Sequence, residues 1–231
     1  MEIRGFQKTT LLDYPGHVAA TVFTGGCNFR CPFCHNALLV LRHGEQPLIP
    51  EEEVLSYLKK RQGILEGVCI TGGEPTLHKD LADFVRKLKQ MDYLVKLDTN
   101  GSRPLVLKEL LAERLLDYVA MDVKASWDNY SVAAGVTELD LAPLKESVEL
   151  LKGCGVPYEF RTTVVRGIHV PEEFEKIGEM LAGCRAYYLQ AFRESENMIE
   201  EGYEAFSGEK MEKIAALAGK YIDKVSLRGV E

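Results

Sequence analysis

The chain has 231 residues, of which 46% are hydrophobic and 27% charged, and its net charge is −7. This composition is ordinary for a globular protein, and the length suffices for one large domain. No apolar run approaches the roughly 20 residues that a membrane helix needs, and the start MEIRGFQKTT lacks the order of a signal peptide. No cluster of Lys and Arg offers the positive charge that binds nucleic acid. We therefore predict a cytoplasmic protein without a membrane or nucleic-acid partner, whose six cysteines stay reduced.

Apolar, β-branched segments alternate with amphipathic segments along the chain. In chain order, strands are predicted at residues 17–25, 68–72, 94–99, 118–123, 158–165 and 186–192. Helices are predicted at residues 51–61, 79–91, 105–114, 142–154, 171–181 and 209–222. Pro50 and Pro171 each precede consecutive glutamates, and this order favours a helix start because negative charge interacts well with the helix dipole there.

Six strand–helix alternations with nearly continuous apolar strands predict an α/β fold, in which helices cover a parallel sheet. An open doubly wound sheet and a barrel both fit this pattern. Every predicted strand except the fifth ends in polar or glycine-rich residues, and such convergence at one end is typical of a barrel. Six repeats are too few for a complete barrel, so we predict a partial, splayed one. We expect a single domain over 1–231, with a leader at 1–16, the barrel core at 17–192, and an acidic loop, helix and tail at 193–231.

Three cysteines follow the first predicted strand in the segment CNFRCPFC: Cys27, Cys31 and Cys34. Three thiolates in one short loop can hold three irons of a [4Fe–4S] cluster and leave the fourth iron open for another ligand. A zinc site is the alternative, with the adjacent His35 as its fourth ligand. A disulfide would need an oxidising compartment, for which the sequence gives no sign. The spacing favours an iron–sulfur cluster on these three cysteines.

The other cysteines are scattered in predicted strands and helices, and we predict that they are buried apolar thiols: Cys69, Cys154 and Cys184. Their spacing does not suit a second cluster. Between Cys34 and Gly72 the sequence has room for one helix, so no inserted cluster-binding module is expected there.

Polar residues follow the second and third predicted strands. Gly72 and Gly73 let the backbone approach a ligand closely, which a Cβ atom would prevent, and Glu74 adds an acceptor that suits an ammonium group. Asp98 lies within the apolar strand KLDT, where a carboxylate is costly unless it is paired or coordinates a ligand. Asn100 precedes a glycine and, taken alone, is more typical of an ordinary turn.

The fourth, fifth and sixth predicted strands carry charged residues as well. Asp122 and Lys124 are two residues apart and therefore lie on the same strand face. Two carboxylates and a lysine at neighbouring strand ends suit a ribose, a ligand amine or a bound cation. Arg161 interrupts the segment EFRTTVV and needs an anion, which is either a structural partner or a ligand carboxylate. Arg193 lies at the end of the sixth strand.

With these motifs, the chain resembles the radical S-adenosylmethionine (radical SAM) enzymes, and within them the activating enzymes of glycyl-radical enzymes. The resemblance extends over the whole chain, from TTLLDYPGHVAATVFTGGCNFRCPFCHN through GGEP, DTNG and MDVK to YYLQAF. The chain is most similar to the anaerobic ribonucleoside-triphosphate reductase activating proteins, and pyruvate formate-lyase activating enzyme is a close cousin. One departure is Ala191, where this subgroup more often has proline.

The resemblance implies a partial (β/α)6 TIM-like barrel of the radical SAM type, with one [4Fe–4S] cluster on the three loop cysteines. The amino and carboxylate groups of SAM would bind the open iron, and Phe33 would lie near the adenine. The other positions that match the family's SAM-binding motifs are Gly72, Gly73, Glu74, Asp98, Asn100, Asp122 and Lys124, with Arg161 and Arg193 aligned more loosely. In the cousin enzyme a monovalent cation binds in this region, so the resemblance also implies that cofactor.

In the implied reaction, flavodoxin or ferredoxin reduces the cluster, whose electron cleaves SAM to methionine and a 5′-deoxyadenosyl radical. The radical then removes a hydrogen atom from a glycine Cα on a partner, which we expect to be anaerobic ribonucleoside-triphosphate reductase. No side chain of this protein needs to serve as a catalytic acid or base. The alternatives are activation of pyruvate formate-lyase or another glycyl-radical enzyme, a radical SAM reaction on a small molecule such as that of the carboxy-deazaguanine synthases, and simple electron transfer.

Overall fold

The computed structural model describes residues 1–195 and 197–230. Its strands are β1 Ile3–Thr10, β2 Ala19–Thr24, β3 Gly67–Gly72, β4 Leu94–Thr99, β5 Tyr118–Asp122, β6 Tyr158–Val164, β7 Tyr187–Ala191 and β8 Val225–Arg228. Its α-helices are α1 Ala37–Leu41, α2 Glu51–Lys59, α3 Leu81–Gln90, α4 Pro104–Ala112, α5 Tyr130–Ala134, α6 Ala142–Gly153, α7 Glu173–Met180 and α8 Gly208–Ala218. Short 3₁₀ turns lie at His43–Glu45 and Pro75–Leu77.

All six predicted strands and all six predicted helices are present, with ends that differ by up to four residues. The sequence analysis missed β1 and β8, at the two ends of the chain, and the five-residue helices α1 and α5. Two expectations were therefore wrong. The tail after the last predicted helix contains a strand, and the interval between Cys34 and Gly72 holds two α-helices where one was expected.

The chain divides into two compact units, and the first comprises Met1–Asn28, Leu38–Ala120 and Cys154–Pro157. In this unit the strand order is β1-β2-β3-β4, followed by the start of β5. β1 pairs antiparallel with β2, whereas β2, β3 and β4 pair in parallel. Its core consists of side chains with no exposed surface, among them Val22, Val54, Ile70, Phe84, Leu88 and Leu97.

The second unit comprises Phe29–Ala37, Met121–Gly153 and Tyr158–Glu231. Here the end of β5 is followed by β6, β7 and β8, and the last three strands pair in parallel. Fully buried side chains from its strands and helices form a second core, among them Phe160, Phe174, Ile177, Tyr187, Leu189 and Ile214. The prediction of a parallel α/β fold is confirmed in both units, and the prediction of one domain stays a prediction.

In the part of the chain that the structure describes, every helix is too short or too polar to cross a lipid bilayer.

An ion pair fastens β8 to the second unit. Arg228 on β8 donates from two guanidinium nitrogens to the two carboxylate oxygens of Glu159 on β6, at 2.8 Å each. The guanidinium carbon also lies 3.5 Å from the ring centroid of Tyr188 on the intervening strand β7. The Glu159 side chain is only 1% exposed. Because a buried carboxylate needs a partner, this pair holds the short last strand in place.

We predict that Arg228→Met lowers the free energy of unfolding by about 3 kcal/mol, because it removes both guanidinium hydrogen bonds from the buried Glu159 carboxylate. Urea denaturation measures the loss. Arg86→Met is the matched control, since Arg86 forms ion pairs of the same type with Asp83 and Glu113 on the surface, where such pairs contribute little. Equal losses for the two variants would contradict this role of Arg228.

Candidate functional site

The cysteine loop begins directly after β2, and the boundary between the two compact units falls within it. Cys27 belongs to the first unit, whereas Cys31 and Cys34 belong to the second. All three are thiols outside any disulfide. The amide of Cys34 donates to the carbonyl of Cys31 at 3.0 Å, so a tight turn connects the second and third cysteines. Burial raises the pKa of the Cys34 thiol.

Within the second unit, backbone contacts fix the loop against α5. The Arg30 amide donates to the carbonyl of Ala134 at 2.8 Å, at the end of this helix. Gly135 then adopts a positive φ of 63°, and a Cβ atom there would lie 2.1 Å from the carbonyl oxygen of Arg30. Only glycine therefore allows the helix end and the loop to approach so closely.

The aromatic residue of the cysteine loop and the histidine that follows it also pack within the second unit. Phe33 is 6% exposed, and its ring centroid lies 6.4 Å from that of His169. His35 stacks on Phe192 and places Nε2 2.6 Å from the carbonyl oxygen of Arg193. Because a carbonyl only accepts, Nε2 of His35 carries a proton and cannot at the same time bind a metal. This geometry disfavours His35 as a zinc ligand through Nε2.

In the first unit, Glu74 joins the ends of β3 and β4. Its carboxylate accepts hydrogen bonds from the hydroxyl of Thr99 at 2.8 Å and the amide of Asn100 at 2.6 Å, and also from the amide and hydroxyl of Thr76. The residue is 1% exposed. Burial raises the pKa of the Glu74 carboxyl, although the hydrogen bonds from Thr76, Asn100 and Thr99 oppose the shift. Both oxygens are therefore engaged in holding the two strand ends together.

Asn100 extends this network to the cysteine loop. Its side-chain amide donates to Oδ1 of Asn28 at 2.9 Å and lies 3.9 Å from Sγ of Cys27. Its own Oδ1 accepts from the amide of Ser102 at 2.9 Å. The structure thus brings Cys27, Glu74 and Asn100 into one connected group in the first unit, as the strand-end argument predicts.

Two glycines allow the cysteine loop and the β3 turn to touch. A Cβ atom on Gly73 would lie 1.9 Å from the carbonyl oxygen of Gly26. That same oxygen accepts a hydrogen bond from the Glu74 amide at 2.8 Å. Gly72 has a φ of 115°, where residues with a side chain are strained. The two glycines thus allow a close approach between two segments of the chain, and their approach to a ligand stays a prediction.

Asp98 also lies in the first unit, and it is paired. Its carboxylate forms an ion pair with Lys96, two residues earlier on β4, and Sγ of Cys69 lies 3.8 Å from its Oδ1. Cys69 is fully buried, as predicted, but its thiol touches charged groups and not only apolar ones.

Asp122, Lys124 and Arg161 form a second charged group, in the second unit. Lys124 Nζ lies 3.2 Å and Arg161 Nε 2.9 Å from the two oxygens of Asp122. Burial raises the pKa of Asp122, but attraction to Arg161 and Lys124 outweighs burial and lowers the pKa to about 2. Arg161 therefore has a structural partner. The group carries two positive charges and one negative charge, and this excess suits an anion.

The last predicted site residue, Arg193, is exposed at the end of β7. It lines a cavity of about 340 Å³ with Phe192, Phe206 and Ser207, all within the second unit.

Three thiols in a short loop match the donor set of a three-cysteine [4Fe–4S] site. Among residues 1–195 and 197–230, no three His, Cys, Asp or Glu side chains converge closely enough to hold a single metal ion. Each cysteine of a cubane binds its own iron, so such convergence is not required of that cluster. The loop residues therefore fit the cluster.

Sequence reasoning missed Asn28 and Lys96. Lys96 gives the same signal as Asp98, a charged residue within an apolar strand, and its 2% exposure shows that it is not solvated. Asn28 gives no signal of its own, because its role depends on Asn100, far away in the chain.

The profile of the Radical SAM superfamily matches residues 21–181 of this chain. The chain therefore belongs to the radical SAM superfamily and is a radical SAM enzyme, and the family implies a [4Fe–4S] cluster and SAM as cofactors. A protein of Methanocaldococcus jannaschii, MJ1227, is 33% identical over 99% of this chain and 96% of its own length. Its name provisionally describes a glycyl-radical enzyme activating enzyme. A Pyrococcus horikoshii protein, provisionally named a GTP 3′,8-cyclase, is 32% identical over 75% of this chain and 56% of its own length.

Solved structures share the fold. Streptococcus suis SuiB, crystallised with S-adenosylmethionine, superposes with a TM-score of 0.69 at 12% identity over 88% of this chain. The chain spans about half of SuiB, 48% of its length. The enzyme anSMEcpe, also solved with SAM bound, has a TM-score of 0.61 at 17% identity. These likenesses show the fold alone, and they confirm the prediction of a partial TIM-like barrel of the radical SAM type.

We predict that Gly73→Ala prevents the approach of the β3 turn to the cysteine loop and destabilises the protein by about 1–3 kcal/mol, as overpacking does. The variant should also retain less than half of the wild-type iron after anaerobic reconstitution. Gly44→Ala is the control, because nothing lies within 4 Å of a Cβ atom there. Full iron content in Gly73→Ala would show that the close approach is dispensable.

A second prediction concerns pH. The folded-state pKa of Asp122 lies near 2, below its ordinary value of 3.8. Asp122 therefore stabilises the fold above that ordinary value and loses this contribution as the pH falls towards the folded-state pKa. Asp122→Asn should melt below the wild type at neutral pH, and the difference should shrink from about pH 5 to about pH 2. The exposed Asp223→Asn serves as the control, and a difference that grows on acidification would contradict the assignment.

Proposed function

We propose that the protein is the activating enzyme of a glycyl-radical enzyme, and that its partner is anaerobic ribonucleoside-triphosphate reductase. The observation that carries the proposal is the match to MJ1227, which covers both proteins almost from end to end at 33% identity. A second M. jannaschii protein with the same provisional name, MJ1632, is 25% identical over 89% of this chain and 79% of its own length. The proteins named as GTP cyclases extend well beyond the matched region, since this chain covers 56% of the P. horikoshii protein.

In this proposal Cys27, Cys31 and Cys34 hold the cluster, and its fourth iron is left for the amino and carboxylate groups of SAM. When bound, the cluster supplies the electron that cleaves SAM. A flavodoxin or ferredoxin is the proposed reductant.

Residues of the first unit would shape the turn that receives SAM. Gly72 and Gly73 have no side chains, so backbone groups stay accessible to the methionine amine. The Glu74 carboxylate already accepts hydrogen bonds on both oxygens. Its proposed role is therefore to fix the ends of β3 and β4, while Asn100 extends the same network to Cys27. Asp98 is proposed to lie near the ribose of SAM.

Residues of the second unit would orient the other parts of SAM. Lys124 and Arg161 together exceed the charge of Asp122 by one positive charge. This excess supports a role in attracting the methionyl carboxylate. Phe33, which is buried and fixed next to His169, is proposed to contact the adenine. Arg193 is the remaining proposed contact.

The cluster assignment predicts about four irons per chain after anaerobic reconstitution. Each of the variants Cys27→Ser, Cys31→Ser and Cys34→Ser should lose iron binding and reductive SAM cleavage, because each thiolate holds one iron. Cys154→Ser and Cys184→Ser are matched controls that should keep the iron. Loss of the cluster in Cys154→Ser together with its retention in Cys31→Ser would refute the assignment.

The activase proposal is tested with the anaerobic ribonucleotide reductase from the same organism. Reduced enzyme with SAM should give the doublet of a glycine-centred radical in electron paramagnetic resonance, and oxygen should then cut the partner at that glycine. Vigorous SAM cleavage without a radical on any glycyl-radical protein, combined with conversion of a small metabolite, would assign the protein to the small-molecule enzymes instead.

A further inference from the structure

We propose that Lys96 is the built-in counterion of Asp98, and that this enzyme works without a bound monovalent cation. The inference rests on the proposed function, since that function gives Asp98 its place in the SAM site. The resemblance implies a monovalent cation near Asp98 and Asp122. The side chains around each of these carboxylates do not fit one.

The first argument is the placement of Lys96. Lys96 and Asp98 are two residues apart on β4, so their side chains project from the same face of the strand. The ammonium group forms an ion pair with the Asp98 carboxylate. The Lys96 side chain is 2% exposed and that of Asp98 14%. The positive charge next to Asp98 is therefore part of the fold.

The second argument is the set of groups around the ammonium. Cys69 pairs with Lys96 across the β3–β4 ladder, and its Sγ lies 3.7 Å from Nζ. The ring of Tyr118 lies 6.0 Å from Nζ, within reach of a cation–π contact. Carboxylate, thiol and aromatic ring thus face the same ammonium. A buried ammonium with such partners is stable in this position, because the ion pair and these contacts compensate for its lost hydration.

The charges around Asp98 and Asp122 also disfavour a bound metal cation. Sodium and potassium ions are hard cations that bind carboxylate, carbonyl and water oxygens, and a carboxylate attracts them through its negative charge. The charge of Asp98 is already balanced by Lys96, and a second cation next to Asp98 would be repelled by the ammonium. Within the second unit, Asp122 is likewise neutralised, by Lys124 and Arg161. Each carboxylate that the resemblance places near a cation thus has a cation from its own chain.

The experiment compares potassium, sodium and choline chloride at equal ionic strength, since choline is too large to replace either metal ion. We expect the Kd of the reconstituted wild type for SAM to change less than about twofold among the three salts. Lys96→Met should bind SAM about tenfold more weakly in choline and recover in potassium or sodium, because the methionine removes the ammonium group that pairs with Asp98. Lys89→Met is the control, since it removes a partly exposed ion pair with Asp117 and should not create a salt requirement.

A second readout needs neither cluster nor SAM. Sodium NMR relaxation of the cluster-free protein should show no saturable site in the wild type and a saturable one in Lys96→Met, which Asp98→Asn then removes. A saturable sodium site in the wild type that Asp98→Asn abolishes would overturn the proposal. The proposal would also be overturned if Lys96→Met were folded and its Kd for SAM were the same in all three salts. If Lys96→Met does not fold, the salt dependence and the sodium relaxation of the wild type test the proposal. The sodium relaxation does so even if the activase assignment fails.

Discussion

The site depends on one close contact, between the turn after β3 and the start of the cysteine loop. Gly73 meets the carbonyl of Gly26 at a distance that leaves no room for a Cβ atom, and the Glu74 amide donates to the same oxygen. The buried Glu74 carboxylate then fixes the end of β4 through Thr99 and Asn100. One short network thereby positions Cys27, the glycine turn and the polar end of β4 before any ligand binds, which is how a fold preorganises a cofactor site.

The charged residues at the strand ends follow a common rule. Asp98 on β4 and Asp122 at the end of β5 would each be costly to place in a poorly solvated position, and each is paired with a lysine two residues away in the chain. Lys96 shares a face of β4 with Asp98, whereas Lys124 lies two residues beyond the end of β5. Asp122 has Arg161 in addition, which gives this group of three side chains one positive charge in excess. The pairing offsets the cost of placing these carboxylates there, and the remaining positive charge of the group around Asp122 suits an anionic part of a ligand.

Much of the fold could be predicted because each of β2 to β7 has at least one largely apolar face, although β4 and β6 carry charged residues on the other. Strand β1 could not be predicted in this way, because its sequence IRGFQKTT contains polar residues and a glycine. It becomes a strand only by pairing with β2. The four residues of β8 depend in the same way on β7 and on the Arg228–Glu159 ion pair. In the candidate site, the sequence shows the positions of the motifs, but it does not show which residues contact them. The burial of Lys96 results from Cys69 and Asp98 beside it, and the engagement of both Glu74 oxygens results from residues that follow β4.

The central claim is that this enzyme removes a hydrogen atom from a glycine of a partner protein. It is tested most directly with an anaerobic ribonucleotide reductase whose glycines are deuterated at Cα, incubated with reduced enzyme and unlabelled SAM. The account predicts singly deuterated 5′-deoxyadenosine in proportion to the radical formed on the reductase. Unlabelled 5′-deoxyadenosine in the presence of the folded, deuterated partner would contradict it.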